Sequence, residues 1–180
     1  MTDEIEAIRR VLSGDVDAFR LLVVRYERPL MVFVGNLLAD AHQREDIAQD
    51  VFLAAFRQLE TFDPKRSRFC TWLLTIARNK CVNAIKRKTP EFHEDLAPPA
   101  RTRTPYDEAV GNECLARLDR ALSELPPRLK TVFVLAEIMD RPVEEIAQIE
   151  GIKHSSVRSR LSRAKKRLRV ILEPYAQGGS

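Results

Sequence analysis

Apolar residues recur at helical spacing along nearly the whole chain, and runs that alternate apolar with polar residues, as half-buried β-strands do, are missing. This pattern predicts an all-α fold. A helix boundary is placed at Pro29, because proline breaks or kinks a helix interior and is favoured at a helix start. The predicted helices cover 4–12, 15–26, 29–38, 44–62, 72–88, 107–122, a segment from 126 onward, 143–150 and a segment that begins near Ser155.

A proline-rich stretch divides these helices into two groups. The segment 89–106 contains four prolines and little apolar content, which predicts a semi-extended, flexible linker. We therefore predict two small helical domains, over 1–88 and 107–174, followed by a disordered tail over 175–180. A chain of 180 residues, 44% of them hydrophobic, is long enough for two small cores.

The last predicted helix belongs to a strongly basic segment, GIKHSSVRSRLSRAKKRLR, which has eight Lys or Arg and no acid. One apolar stripe on it is formed by Val157, Leu161, Ala164 and Leu168. The short helix before it ends at Gly151, since glycine adopts the left-handed conformation cheaply. Short helix, glycine turn and basic amphipathic helix are typical of a helix-turn-helix that enters the DNA major groove. The alternative is a solvated charged helix, but such helices normally mix both signs of charge.

Two further segments have residue patterns that indicate binding surfaces. In 44–62 an apolar face is opposed by a face on which Leu53 stands among acids, which favours a docking surface over a plain solvated face. From Pro64 to Pro90 the chain has many cations and no acid. Cations, aromatic residues and amides together suit single-stranded nucleic acid. Two separate basic faces on a chain of net charge +4 suggest two contacts with a polyanion.

Other kinds of chemistry are not expected. Cys70, Cys81 and Cys114 are scattered without a CxxC pair and the histidines are dispersed, so reduced thiols and no metal site are predicted. Paired carboxylates and a glycine-rich phosphate loop are missing, so neither an enzyme nor a cofactor is expected. Without a signal peptide or a long apolar run, the chain is predicted to be cytoplasmic and not inserted in a membrane.

Taken in order, three segments resemble the extracytoplasmic-function sigma factors, compact two-domain members of the sigma-70 family. EDIAQDVFLAAFRQLETFDP is similar to the family's segment that binds core RNA polymerase. FCTWLLTIARNKCVNAIKRK is similar to the segment that melts and reads the promoter −10 element. LPPRLKTVFVLAEIMDRPVEEIAQIEGIKHSSVRSRLSRAKKRLR is similar to the domain that reads the −35 element. The resemblance covers roughly 15–172.

The resemblance implies roles for individual residues of this chain. Polymerase binding is implied for Asp46, Gln49, Asp50, Leu53 and Arg57. Contact with the −10 DNA is implied for Lys65, Arg66, Arg68, Phe69, Thr71, Arg78, Asn79, Asn83 and Lys86. Contact with the −35 DNA is implied for Ser156, Arg158, Ser159, Ser162, Arg163 and Lys166.

The family resemblance also implies partners and a function. The chain would bind RNA polymerase core, direct it to bipartite promoter DNA and be controlled by an anti-sigma factor, which could hold it at the inner membrane. Three positions depart from the family pattern: Asn83, where Asp is frequent, Glu150, where Leu is usual, and Lys153, where Pro is common. The rival hypothesis is a free-standing helix-turn-helix regulator that reads duplex only. The second basic helix beside a docking face favours the sigma factor.

Overall fold

The structure of the protein is a computed structural model that describes residues 2–88 and 113–176, and these residues form helices joined by short turns, with no β-strand among them. The predicted all-α class is confirmed. The predicted linker over 89–106 and residues 177–180 of the predicted tail lie outside the described ranges, whereas residues 175–176, also predicted as tail, are helical. The helices are α1 Thr2–Leu12, α2 Phe19–Leu37, α3 Ala41–Arg57, α4 Phe69–Lys88, α5 Glu113–Ser123, α6 Pro127–Phe133, α7 Val143–Glu150 and α8 His154–Ala176.

Helices α1 to α4 form the N-terminal unit, in which α2, α3 and α4 pack on one another around fully buried side chains such as Phe33 and Leu73. Asp40 caps α3 by accepting a hydrogen bond from the backbone N–H of Gln43 at 3.0 Å. The α1 helix is fastened to α2 because the Tyr26 hydroxyl donates to the Glu4 carboxylate. Burial, together with that hydrogen bond, raises the pKa of Tyr26.

Helix α2 differs from its prediction, because it continues through Pro29 without interruption from Phe19 to Leu37. The predicted boundary at Pro29 is therefore wrong. A proline inside a helix removes one backbone hydrogen bond and costs about 3 kcal/mol. Here the helix buries Leu22 and Tyr26 before the proline and Leu30 and Phe33 after it. Burial of apolar side chains on both sides outweighs the local cost of the proline.

Helices α5 to α8 form the C-terminal unit, and α7 and α8 build the helix-turn-helix. Gly151 follows α7 in the left-handed conformation, with φ 64° and ψ 37°, and the Ile152 N–H bonds to the Ala147 carbonyl at 3.0 Å. The short helix and its glycine stop are confirmed as predicted. Val157, Ala164 and Leu168 of α8 are buried, which confirms the predicted apolar stripe.

The two units pack against each other along α4 and α7. Ile146 and Ile149 of α7 are buried in one continuous apolar cluster with Leu74, Ala77 and Cys81 of α4. This arrangement brings the helix-turn-helix directly against the basic helix of the N-terminal unit. Within residues 2–88 and 113–176, the structure contains no helix whose length and apolar character would suffice for a membrane crossing.

Candidate docking and nucleic-acid interfaces

The docking face predicted on 44–62 is a continuous exposed strip on α3. Its members Asp46, Gln49, Asp50, Leu53 and Arg57 are all exposed, because the opposite face of α3 buries Ala48, Val51 and Ala55. Leu53 is 46% exposed although it is a large apolar side chain. An exposed leucine between charged neighbours is the pattern of a protein contact surface.

At one end of this strip, α3 and α4 enclose a shallow groove of about 300 Å³, lined by Asp50, Leu53, Ala54, Arg57, Gln58 and Lys80. Lys80 reaches it from α4 and forms an ion pair with Asp50, with Nζ and Oδ2 3.1 Å apart. Both side chains are partly exposed, so the pair contributes little to stability. Sequence reasoning missed Lys80, because only the packing of α4 on α3 brings it to the predicted docking face.

Part of the −10 DNA-binding set predicted on the second basic segment is exposed to solvent. Lys65 and Arg66 lie in a turn before α4, where the Asp63 side chain accepts from the Lys65 N–H at 2.9 Å. Asn79, Asn83 and Lys86 are exposed along α4 itself. Cations and amides therefore share one accessible strip, called here the α4 strip (Lys65, Arg66, Asn79, Asn83 and Lys86).

Three other members of that predicted set contact α7, although the Arg68 side chain remains 76% exposed. Thr71 is 1% exposed, and its hydroxyl donates to Glu145 at 3.2 Å. The Arg78 Nε donates to Glu150, also at 3.2 Å, and the Arg68 guanidinium lies 3.5 Å from Glu145. The structure thus separates residues that sequence spacing had grouped on one surface.

The structure contradicts the prediction that Phe69 contacts DNA. Its ring is fully buried and packs against Tyr26 at 5.2 Å and against Phe62 and Trp72 at 5.5 Å, measured between ring centroids. Helix α4 begins at Phe69 rather than at Trp72, so this ring points into the core from the first turn. An aromatic residue in a basic loop could stack on a nucleic-acid base, as far as the sequence shows, but this ring is part of the hydrophobic core.

On α8, the exposed side carries the predicted −35 DNA-binding residues. Arg158, Ser159, Ser162, Arg163 and Lys166 are exposed and Ser156 is half-buried, opposite the buried stripe. Two other cations of this helix are engaged within the protein. Arg160 lies 2.9 Å from Glu150, and Lys165 lies 2.9 Å from Glu137.

Glu150 is the residue that sequence reasoning undervalued. Its side chain is 1% exposed, and its two carboxylate oxygens face two arginines from different units, Arg78 at 3.2 Å and Arg160 at 2.9 Å. A buried carboxylate is stable only when paired in this way. The sequence did contain one sign of an unusual contact here, because the family that the chain resembles usually has an apolar leucine at this position.

The described cysteines are poorly suited to nucleophilic chemistry. Burial raises the pKa of the Cys70 thiol, although the Arg141 guanidinium lies 3.3 Å from its sulfur and opposes that shift. Burial raises the pKa of Cys81 to about 12. Because the thiolate is the reactive form, both thiols remain protonated and unreactive at neutral pH.

Two family models match this chain. The model described as Sigma-70 region 2 matches residues 22–91, and the model described as Sigma-70, region 4 matches residues 115–168. The first match includes the groove between α3 and α4 and the α4 strip, and the second includes the helix-turn-helix.

Curated relatives and solved structures agree with these matches. The ECF RNA polymerase sigma factor SigW of Bacillus subtilis is 32% identical over 92% of this chain and 94% of its own. The ECF RNA polymerase sigma-E factor of Escherichia coli K12 is 30% identical over 97% and 96%.

Two solved structures resemble the fold over most of its length. CnrH in complex with the cytosolic domain of CnrY has a TM-score of 0.72 at 27% identity and covers 93% of this chain and 96% of its own. RpoE of Bartonella quintana in complex with the anti-sigma factor NepR has a TM-score of 0.69 at 25% identity and covers 86% and 96%. The chain belongs to the extracytoplasmic-function sigma factors of the sigma-70 family.

Proposed function

We propose that this sigma factor works through three surfaces, each of which contains residues that the resemblance singled out. The α3 groove binds core RNA polymerase, the α4 strip holds the opened −10 strand, and the exposed side of α8 reads the −35 duplex. The factor directs polymerase to promoters, and we assign the bond chemistry of transcription to polymerase alone.

One observation carries this proposal: the groove and the strip meet on a single helix. Lys80 of α4 closes the groove beside Asp50, and Asn79 and Asn83 of the same helix are exposed in the strip. A polymerase bound in the groove would therefore hold the strip in a fixed position relative to its own surface. A regulator that reads duplex only has no need of this pairing.

We also propose that an anti-sigma factor regulates the chain in the cytoplasm. Two solved structures that resemble this fold support the idea, because RpoE of Bartonella quintana is bound to the anti-sigma factor NepR and CnrH is bound to the cytosolic domain of CnrY. If the regulator of this chain is anchored in the inner membrane, the sigma factor would be retained there through it.

Run-off transcription tests the central proposal. Core RNA polymerase is supplied with or without this chain on a promoter selected from its genomic binding sites. We expect a transcript only when the chain is present. A chain that binds the promoter in the absence of polymerase and gives no transcript would instead support the rival duplex-binding regulator.

Replacing Asn79 and Asn83 together with alanine should lower formation of the open complex more than initial duplex binding. Both amides are exposed on the α4 strip, and the Asn79 side-chain oxygen accepts from Arg78 at 3.3 Å. Loss of a base contact costs about 1–3 kcal/mol. Permanganate footprinting of unpaired thymines measures the effect. Asn36→Ala, which changes an amide on α2, is the control, and an undiminished footprint in the double variant would refute the assignment.

Arg163→Ala and Lys166→Ala should fail in different ways, although both cations are exposed on α8. Arg163 lies nearer the helix start beside Ser159 and Ser162, where a recognition helix reaches base edges. Its loss should reduce the free energy of DNA binding by roughly 1–3 kcal/mol and relax the base preference at one −35 position. Loss of Lys166 should weaken binding to all DNA sequences alike. It should also lower the slope of log affinity against log salt concentration by about one unit. Site selection with both variant holoenzymes decides this, and an unchanged preference in Arg163→Ala would exclude base reading.

A further inference from the structure

The outward face of α2 is apolar at its centre. Leu21 is 55% exposed and Val24 is 69% exposed, while the opposite side of the helix buries Leu22, Tyr26 and Leu30 in the core. The outward face of a surface helix is normally polar, although single exposed apolar residues are common. Here two such residues stand three positions apart, so they lie on neighbouring turns of one face and form a patch.

Charged residues of both signs surround this patch. Four of them are exposed, three on α2 and one in the 3-10 turn that leads directly into it: Asp17, Arg20, Glu27 and Arg28. Within residues 2–88 and 113–176, their side chains form no ion pair and no hydrogen bond. Arg25, at the edge of the same face, is instead paired with Glu4 at 3.9 Å. The four unpaired charges are therefore available to a partner that covers the patch.

The order of these residues along α2 is complementary to itself when two copies of the helix run antiparallel. In a twofold interface, residue i of one copy contacts residue j of the other, and j contacts i. When Leu21 of one copy lies opposite Val24 of the second, the apolar centre is covered from both sides. Asp17 then lies opposite Arg28 of the second copy, because each stands four positions beyond the apolar pair.

The same register brings the other two charges together. Arg20 and Glu27 are seven residues apart and therefore share one flank of the helix. An antiparallel twofold pairs this flank with itself, which places Arg20 about 3 Å along the axis from Glu27 of the second copy. A membrane surface or a nucleic acid fits this face less well, because Asp17 and Glu27 would then meet like charge. Charge complementarity thus favours a second copy of the chain.

We propose that two copies of this chain associate through the outward face of α2 as an antiparallel homodimer. Leu21 and Val24 of both copies form its centre, and two ion pairs lie at each end. From Asp17 to Arg28 the contact covers about 18 Å of helix. One helix pair of this length buries less than the roughly 1,200–2,000 Å² of a stable interface, so the dimer exchanges reversibly with the monomer. No residue proposed to bind polymerase or DNA takes part, so the dimer does not depend on those roles.

Charge reversal in the full-length chain tests the contact and its register. Asp17→Arg and Arg28→Asp each set like charges against each other in both symmetry-related contacts, whereas a mixture of the two variants restores opposite charges across a heterodimer. Glu60→Arg and Arg66→Asp make comparable changes at exposed residues outside α2 and serve as controls. Sedimentation equilibrium measures the mass from about 1 μM to about 1 mM, the range expected for a contact of this size. Circular dichroism verifies folding, and Val24→Ser carries the test if a charge variant is unstable.

We expect the parent and both controls to approach the mass of a dimer as the concentration rises. Each α2 variant alone should associate at least about tenfold more weakly, and their equimolar mixture should dimerise like the parent. A parent that stays monomeric over the whole range would overturn the proposal. A dimer that persists in both α2 variants would overturn it too, because another face then holds the copies together. If the variants are monomeric and their mixture is as well, the antiparallel register is wrong.

Discussion

Asp50→Arg should abolish binding to core RNA polymerase while leaving the fold intact. Asp50 is exposed at the edge of the α3 groove beside Leu53, and its ion pair with Lys80 is open to solvent. The substitution therefore removes no core packing, and the lost surface pair should cost less than about 1 kcal/mol of stability. At an interface, by contrast, reversal of a charge removes a contact and adds repulsion, typically a loss of about 2–5 kcal/mol or more.

Biolayer interferometry with immobilised core polymerase measures this effect, with circular dichroism to verify the fold. We expect binding to fall by at least about 30-fold, which corresponds to about 2 kcal/mol. Asp17→Arg makes the same charge change at an exposed acid in the 3-10 turn before α2 and should bind like the parent. If Asp50→Arg binds within threefold of the Asp17 variant, the groove does not dock on polymerase.

The features that sequence predicted well depend on local patterns. Gly151 after a short helix indicated the turn, and the stripe through Val157 and Leu168 indicated which side of α8 is buried. The position of Leu53 among acids likewise indicated which side of α3 is exposed. In each case the signal lies within a few turns of one helix, where periodicity reports directly on burial.

The features that sequence missed depend on packing between distant segments. Pro29 was predicted to mark a helix boundary because proline lacks a backbone N–H. The helix nevertheless continues through it, because apolar side chains on both sides of the proline are buried. Glu150 meets Arg78 across 72 residues of chain, and no periodicity within α7 indicates such a contact. Lys80 reaches the groove beside Asp50 in the same way, through the packing of α4 on α3.

At Phe69 the local sequence pattern and the long-range packing disagree. Substitution of this residue should have the second large effect that we expect. Sequence placed it in a basic loop with nucleic-acid chemistry, whereas the structure buries it completely among Tyr26, Phe62 and Trp72. The two interpretations make opposite predictions. If Phe69 stacks on a base, its removal should leave the free energy of unfolding unchanged. If it belongs to the core, its removal should lower that free energy.

Phe69→Ala should lower the free energy of unfolding by about 3–5 kcal/mol, because it removes a buried ring and leaves a cavity among the other three. Urea unfolding followed by circular dichroism measures this loss. Phe69→Leu refills part of the cavity and should cost less than half as much. Arg66→Ala, an exposed neighbour in the preceding turn, should stay within about 0.5 kcal/mol of the parent while weakening strand binding. If Phe69→Ala instead keeps the parental stability and loses only strand binding, the ring stacks on a base and the core assignment fails.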